Sequence, residues 1–178
     1  MTSTERPGVT TFRGNPVTLL GSEVRVGEQA PDFTVLGNDM TPVRFSSLGG
    51  TTRVISVVPS LETPVCDLQT RRFEEAVAEL GEASVLTVSV DLPFAQARWC
   101  GAAGVEGVRT FSDHRDLSFG LAYGVVIKEF RLLARAVFVV DAENRVVHAE
   151  YVTEVGQPPD FDAAVTAARE AENVRRAA

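Results

Sequence analysis

The sequence predicts an α/β chain built on one layered sheet of mixed strand direction. Two observations carry this. From residue 53 to residue 111, β-branched apolar runs alternate with stretches of helical spacing, the pattern of parallel strands joined by crossover helices. After residue 135 the order changes to two adjacent strand runs and one closing amphipathic helix, which adds an antiparallel hairpin to the sheet.

The elements follow in order. Residues 1–7 are polar and read as a disordered tail, leaving 8–178 as a single domain. Val9–Phe12 and Val17–Leu20 read as a hairpin, with turn chemistry in Arg13-Gly14-Asn15-Pro16. Val26–Leu36 reads as loop then strand, with Pro31 before alternating apolar residues, Val43–Phe45 is another short extended piece, and Ser46–Gly50 ends in a glycine stop. Arg53–Val58 is a buried strand. A helix is expected from Pro64 to Leu80, with Gly81 as its stop. Ser84–Val90 is a strand, and Asp91-Leu92-Pro93 opens a helix running to about Gly101. Val108–Phe111 is a short strand and Leu117–Tyr123 a helical turn or two. Ala136–Val140 and Arg145–Ala149 form the late hairpin, and Phe161–Val174 is the closing helix.

Composition bounds the function. The 44% hydrophobic and 23% charged content is ordinary for a soluble globular chain. A net charge of -7 argues against nucleic acid or an anionic membrane as partner. No apolar run approaches the roughly 20 residues needed to span a bilayer. Met1–Gly14 has no apolar leader core, so the expected compartment is the cytoplasm. Two cysteines do not make a disulfide framework at this size, and in a reducing compartment a pair is more often redox-active than structural. His114 and His148 match no ligand spacing with the cysteines, so neither a metal nor an organic cofactor is expected.

The chemistry points to Pro59-Ser60-Leu61-Glu62-Thr63-Pro64-Val65-Cys66, a turn from a strand into a helix. Thr63 is a good N-cap and Pro64 suits the first helical position, which puts Cys66 in the first turn. Free N–H groups and the positive end of the helix dipole favour a thiolate there. By residue type and position alone, Cys66 is as much a small buried hydrophobe as a nucleophile. Cys100 reads first as a buried helix cysteine, and Arg135 as either a solvated or a site arginine.

The spacing Pro-x-x-x-Thr-x-x-Cys at Pro59, Thr63 and Cys66 resembles the peroxiredoxin active-site signature. The phrase from Asp91 to Gly101, Asp-Leu-Pro-Phe-Ala-Gln followed by Arg98, Trp99 and Cys100, narrows it. It resembles the resolving-cysteine segment of bacterial thiol peroxidases, an atypical two-cysteine peroxiredoxin subgroup. Gly14–Thr18, Leu133–Ala136 and Pro159–Ala164 resemble family segments in the same order. The resemblance implies a thioredoxin-like fold whose central mixed sheet is flanked by helices, with an N-terminal β-hairpin. It implies reduction of hydrogen peroxide or organic hydroperoxides, with Cys66 attacking the peroxide and Cys100 resolving the sulfenic acid as a Cys66–Cys100 disulfide. Arg135 and Thr63 would assist at the sulfur, and Pro59 would shield it. Thioredoxin would be the reductant, the enzyme would serve antioxidant defence, and a homodimer is implied.

Two departures stand out. The segment Val125–Arg131 is shorter than the family's and lacks its glycine, and Glu62 and Asp67 put negative charge beside Cys66. Rival readings are a dithiol oxidoreductase, against which Thr63 stands where a Cys-x-x-Cys motif needs its first cysteine, and a binding module with inert cysteines. Disulfide formation needs Cα atoms within about 7 Å, so one or both cysteine-bearing helices are expected to unwind for that step.

Overall fold

The computed structural model describes residues 3–178. The chain opens with a hairpin of β1 (Glu5–Phe12) and β2 (Asn15–Leu20). Its turn residues, Arg13 and Gly14, have φ of 52° and 79°, the left-handed pair that two-residue hairpin turns require. The strand begins at Glu5, which pairs with Leu20, so the expected tail is corrected at residues 5–7. The reason is a tertiary anchor: Arg6 Nε donates to Gly21 O at 3.0 Å and its guanidinium lies 5.1 Å from the Tyr151 ring centroid. The first two residues of that expected tail lie outside the described residues.

Next come β3 (Thr34–Leu36), β4 (Pro42–Arg44) and a short 3-10 turn. The alternating unit is β5 (Arg53–Val57), α1 (Pro64–Val77), β6 (Ser84–Ser89), α2 (Pro93–Ala103) and β7 (Val108–Ser112). Then follow α3 (Ser118–Ala122), β8 (Val126–Ile127), β9 (Leu132–Leu133), β10 (Ala136–Val140), β11 (Val146–Tyr151) and α4 (Phe161–Ala177). The main sheet has the order β11-β10-β5-β6-β7-β3-β4. Its centre, β5-β6-β7, is parallel, and β10 pairs antiparallel to β5.

Two details differ from the reading of the sequence. Helix α1 stops at Val77 rather than Leu80, because the following N–H groups of Glu79 and Leu80 tighten onto Ala76 O and Val77 O. And a second sheet exists, in the order β1-β2-β8-β9. The segment 125–131 supplies β8, which pairs with β2 through Leu19 and Ile127. Strands of two residues carry no alternation to read.

The central strands are apolar on both sides because both are covered. Val54, Val85, Val137 and Val139 face Phe73 and Leu80 of the α1 region and Ala164 and Ala168 of α4. Ile55, Val57, Leu86 and Phe138 face an aromatic layer of Phe33, Phe119 and Tyr123. This rigid centre holds the C-terminal ends of β5 and β6 side by side, and both cysteine-bearing helices start from that edge. No described helix is long and apolar enough to cross a membrane.

Candidate active site

Cys66 lies in the first turn of α1, after an extended Thr63 (φ -99°, ψ 146°) and Pro64. Thr63 does not use its side chain to cap the backbone. Its hydroxyl instead lies 2.7 Å from Cys66 Sγ, and 3.1 Å from Ser60 O. A hydroxyl has one proton, so donating to the sulfur leaves the Ser60 carbonyl without it. The N–H groups of Val65 and Cys66 remain uncapped by Thr63 and face the start of the helix.

The second group on the sulfur is Arg135, just before β10. Its Nη2 donates to Cys66 Sγ at 3.4 Å. Nε donates to Val155 O at 2.9 Å and Nη1 to Gln69 Oε1 at 2.7 Å, so the planar guanidinium is held on three sides. Arg135 is 2% exposed, yet no carboxylate of the described residues lies within 4.0 Å of it. The Cys66 sulfur is one of the three acceptors that face this buried cation.

The acidic neighbours do not compete for that place. Asp67 bonds Arg71 Nε at 2.8 Å and Glu62 pairs with Arg98, both at the surface. A cavity of about 280 Å³ reaches the site and is lined by Phe12, Arg13, Pro59, Thr63, Pro64, Val65, Arg135, Glu154, Val155 and Gly156. Its walls are largely apolar side chains. Glu154 stays ionised on its rim: the Thr11 hydroxyl, then the N–H groups of Gly156 and Gly14, hold its pKa down to about 2. Phe130 of the short 125–131 segment packs on Phe12 at 5.0 Å between centroids, so that segment touches the cavity at second hand.

Pro59 is buried and lines this cavity, and Thr63, Cys66 and Arg135 meet around one sulfur. Cys100 does not join them. It is half-buried on α2, its Sγ 3.4 Å from Thr110 Oγ1, and it lines a separate groove of about 480 Å³ with Asn38, Val43 and Phe111. Both cysteines are free thiols, and Trp99, Cys100's neighbour in sequence, packs with Cys66, Val58 and Leu61. Among the described residues no group of three or more His, Cys, Asp or Glu side chains could hold a metal ion.

Reading the sequence missed Gln69. It is fully buried, accepts from Arg135, and donates to Ser56 Oγ at 2.8 Å. The signal was present: Cys66, Gln69, Thr70 and Phe73 share the inner face of α1, and a glutamine on an apolar face asks for a polar partner.

A buried thiol at the start of the helix after a central parallel strand, touched by a threonine and an arginine, is the site of a thioredoxin-fold peroxiredoxin. The Redoxin family model matches residues 25–165. The thiol peroxidase of Halalkalibacterium halodurans is 60% identical over 161 residues, covering 90% of this chain and 97% of its own. That of Bacillus subtilis is 57% identical over 159 residues, covering 89% and 95%. A solved peroxiredoxin-like protein from Aquifex aeolicus superposes with a TM-score of 0.85 at 36% identity, over 96% of this chain and 99% of that one. The chain belongs to the Redoxin family and, within it, to the thiol peroxidases.

Proposed function

We propose that this thiol peroxidase reduces hydrogen peroxide and organic hydroperoxides at Cys66 and regenerates itself through Cys100. The Cys66 thiolate attacks the terminal oxygen of ROOH. An S–O bond forms, the O–O bond breaks, and RO⁻ takes a proton and leaves as ROH or water. Arg135 supplies the positive charge that favours the thiolate and meets the charge developing on the O–O group. The Thr63 hydroxyl and the N–H groups of Val65 and Cys66 orient the peroxide, and Pro59 limits water at the sulfur. The single observation that supports this most is the buried Arg135 guanidinium, 3.4 Å from Cys66 Sγ and without a carboxylate partner among the described residues.

Cys100 thiolate then attacks the sulfenic sulfur. An S–S bond forms, the S–O bond breaks, and the departing hydroxide takes a proton and leaves as water. A dithiol, for which thioredoxin is the proposed donor, exchanges with the Cys66–Cys100 disulfide and is itself oxidised. The apolar cavity walls favour an organic R group over hydrogen peroxide alone. Exposed Leu92 and Phe94 at the start of α2 offer a surface for a homodimer. A cytoplasmic role in antioxidant defence belongs to the same proposal.

Single-turnover mixing of reduced protein with cumene hydroperoxide and with hydrogen peroxide tests the reading. Both should be consumed at one equivalent per Cys66, the organic peroxide faster. No consumption of either removes the peroxidase reading of this site.

A further inference from the structure

We propose that Asp91 is a positioning residue that sets how readily Cys100 reaches Cys66. The inference rests on the reading above, in which Cys100 resolves a Cys66 sulfenic acid. Asp91 stands between β6 and α2, and its carboxylate joins the two segments that must part. Oδ1 accepts from Ser60 Oγ at 2.7 Å. Oδ2 accepts from the Leu61 N–H at 2.8 Å and from Ser89 Oγ at 2.8 Å. The Asp91 backbone carbonyl accepts from Ser112 Oγ at 2.5 Å, which ties the backbone at Asp91 to the end of β7.

Ser60 and Leu61 belong to the turn that carries Pro59 and Thr63. One carboxylate therefore ties the wall of the Cys66 cavity to the first residues of the helix that carries Cys100. Bonds to an ionised acceptor are roughly twice as strong as neutral ones. Two other hydrogen-bonded links span the same elements: the Glu62–Arg98 pair and Arg71 Nη1 on Ala103 O at 3.3 Å. Both are exposed, and exposed links of this kind contribute little. The Asp91 bonds are partly buried, and Leu61 is 1% exposed.

The consequence is a partition. Cys100 faces a groove that shares no lining residue with the Cys66 cavity. To attack the sulfenic sulfur it must leave Thr110, and the packing of Trp99 on Leu61 and Cys66 must open. The Asp91 bonds resist that opening. They hold the turn in its peroxide-reactive shape and slow the disulfide step. Meanwhile a second ROOH can oxidise the sulfenic acid: the sulfur gains one oxygen atom, becomes a sulfinic acid, and ROH departs. Asp91 sets the balance between these two fates.

Asp91→Asn keeps the size but loses the charge and one acceptor oxygen. The full chain, reduced, is mixed with increasing cumene hydroperoxide, quenched by alkylation and weighed. In parallel, fluorescence of Trp99, the chain's one tryptophan, follows the rearrangement. The peroxide concentration that gives equal sulfinic acid and disulfide should rise about tenfold, and the fluorescence phase should quicken by about the same factor. Ser60→Ala removes one of the bonds and should shift both by about threefold in the same direction, which covers an Asp91 variant that does not fold. A purely structural role lowers the melting temperature and leaves the partition where it was. An unchanged or reversed partition in a folded variant overturns the proposal. Failure of the Cys100 reading itself looks different: the unmodified protein then forms no intramolecular disulfide at any peroxide concentration, and the proposal falls with it.

Discussion

Cys66 and Cys100 are the only two cysteines of the chain, and the fold treats them oppositely. Cys66 is 0% exposed, at a helix start, with Thr63 Oγ1 at 2.7 Å and Arg135 Nη2 at 3.4 Å. Cys100 is half-buried in the body of α2, beside one neutral hydroxyl at 3.4 Å. One sulfur is surrounded by groups that stabilise an anion. The other sits in the body of a helix, packed against the cluster of Val58, Leu61, Cys66 and Trp99. Preorganisation is worth most where charge develops, so the difference supports the proposal that places the chemistry at Cys66 and a conformational step at Cys100.

Separating the two thiols gives the largest effect. Cys66→Ser should lose peroxide reduction by at least about 10⁴-fold, since the nucleophile is gone. Cys100→Ser should keep the single-turnover rate within about twofold and lose multiple turnover with a dithiol, because only the second step needs it. Stopped-flow peroxide consumption, with and without thioredoxin, reads both. Equal damage from the two substitutions would erase the contrast.

Arg135 comes next. Arg135→Gln should lower the single-turnover rate constant by roughly 10²–10³-fold, the usual loss of a charge-stabilising donor. Arg135→Lys should recover only part of it, because an ammonium cannot reach Val155 O, Gln69 Oε1 and the sulfur together. Gln69→Leu leaves the arginine in place but unheld on one side, and should cost about tenfold in the same measurement. A rate equal to that of the unmodified protein would show that Val155 O alone aligns the guanidinium.

The smallest effect concerns a group that touches neither thiol. Asp113 is 2% exposed, and burial pushes its pKa up to about 6, against the N–H groups of Phe119 and Gly120 that it accepts at 3.0 and 2.7 Å. A carboxyl raised in the folded state stabilises fully below its unfolded pKa of 3.8, and that stability is lost as pH rises to about 6. The loss is at most about 3 kcal/mol. Urea unfolding should therefore show Asp113→Asn costing more at pH 4.5 than at pH 8. The same cost at both would mean the carboxylate is not penalised by burial. Peroxide reactivity should not change.

How much of this was legible is itself uneven along the chain. The turn 59–66 carries its own instructions: a threonine at the N-cap position, though its hydroxyl goes to the sulfur and not the backbone, a proline that a helix accepts only in its first turn, and a buried strand before it. The parallel centre and the late hairpin were readable from periodicity for the same local reason. Arg135 and Arg53 could not be told apart by such rules. Both are fully buried, but Arg53 lies over the Phe45 ring at 4.6 Å and bonds Asp141 O and Asn144 Oδ1, beside the turn between β10 and β11. Only tertiary neighbours separate a structural arginine from one that faces a thiol, and here the family resemblance supplied the choice. Gln69 and Asp91 act through partners 66 and 30 residues away. No local pattern encodes such pairs. The β8–β9 hairpin escaped because two-residue strands are defined by what they pair with.

The most direct measurement is intact mass after thiol alkylation, on reduced protein given one equivalent of a hydroperoxide. The expected result is loss of both free thiols and a mass two hydrogens lower, which is the Cys66–Cys100 disulfide. An oxygen added to Cys66 with Cys100 still alkylated would contradict the resolving role. Two unchanged thiols in excess peroxide would contradict the assignment of the chemistry to Cys66.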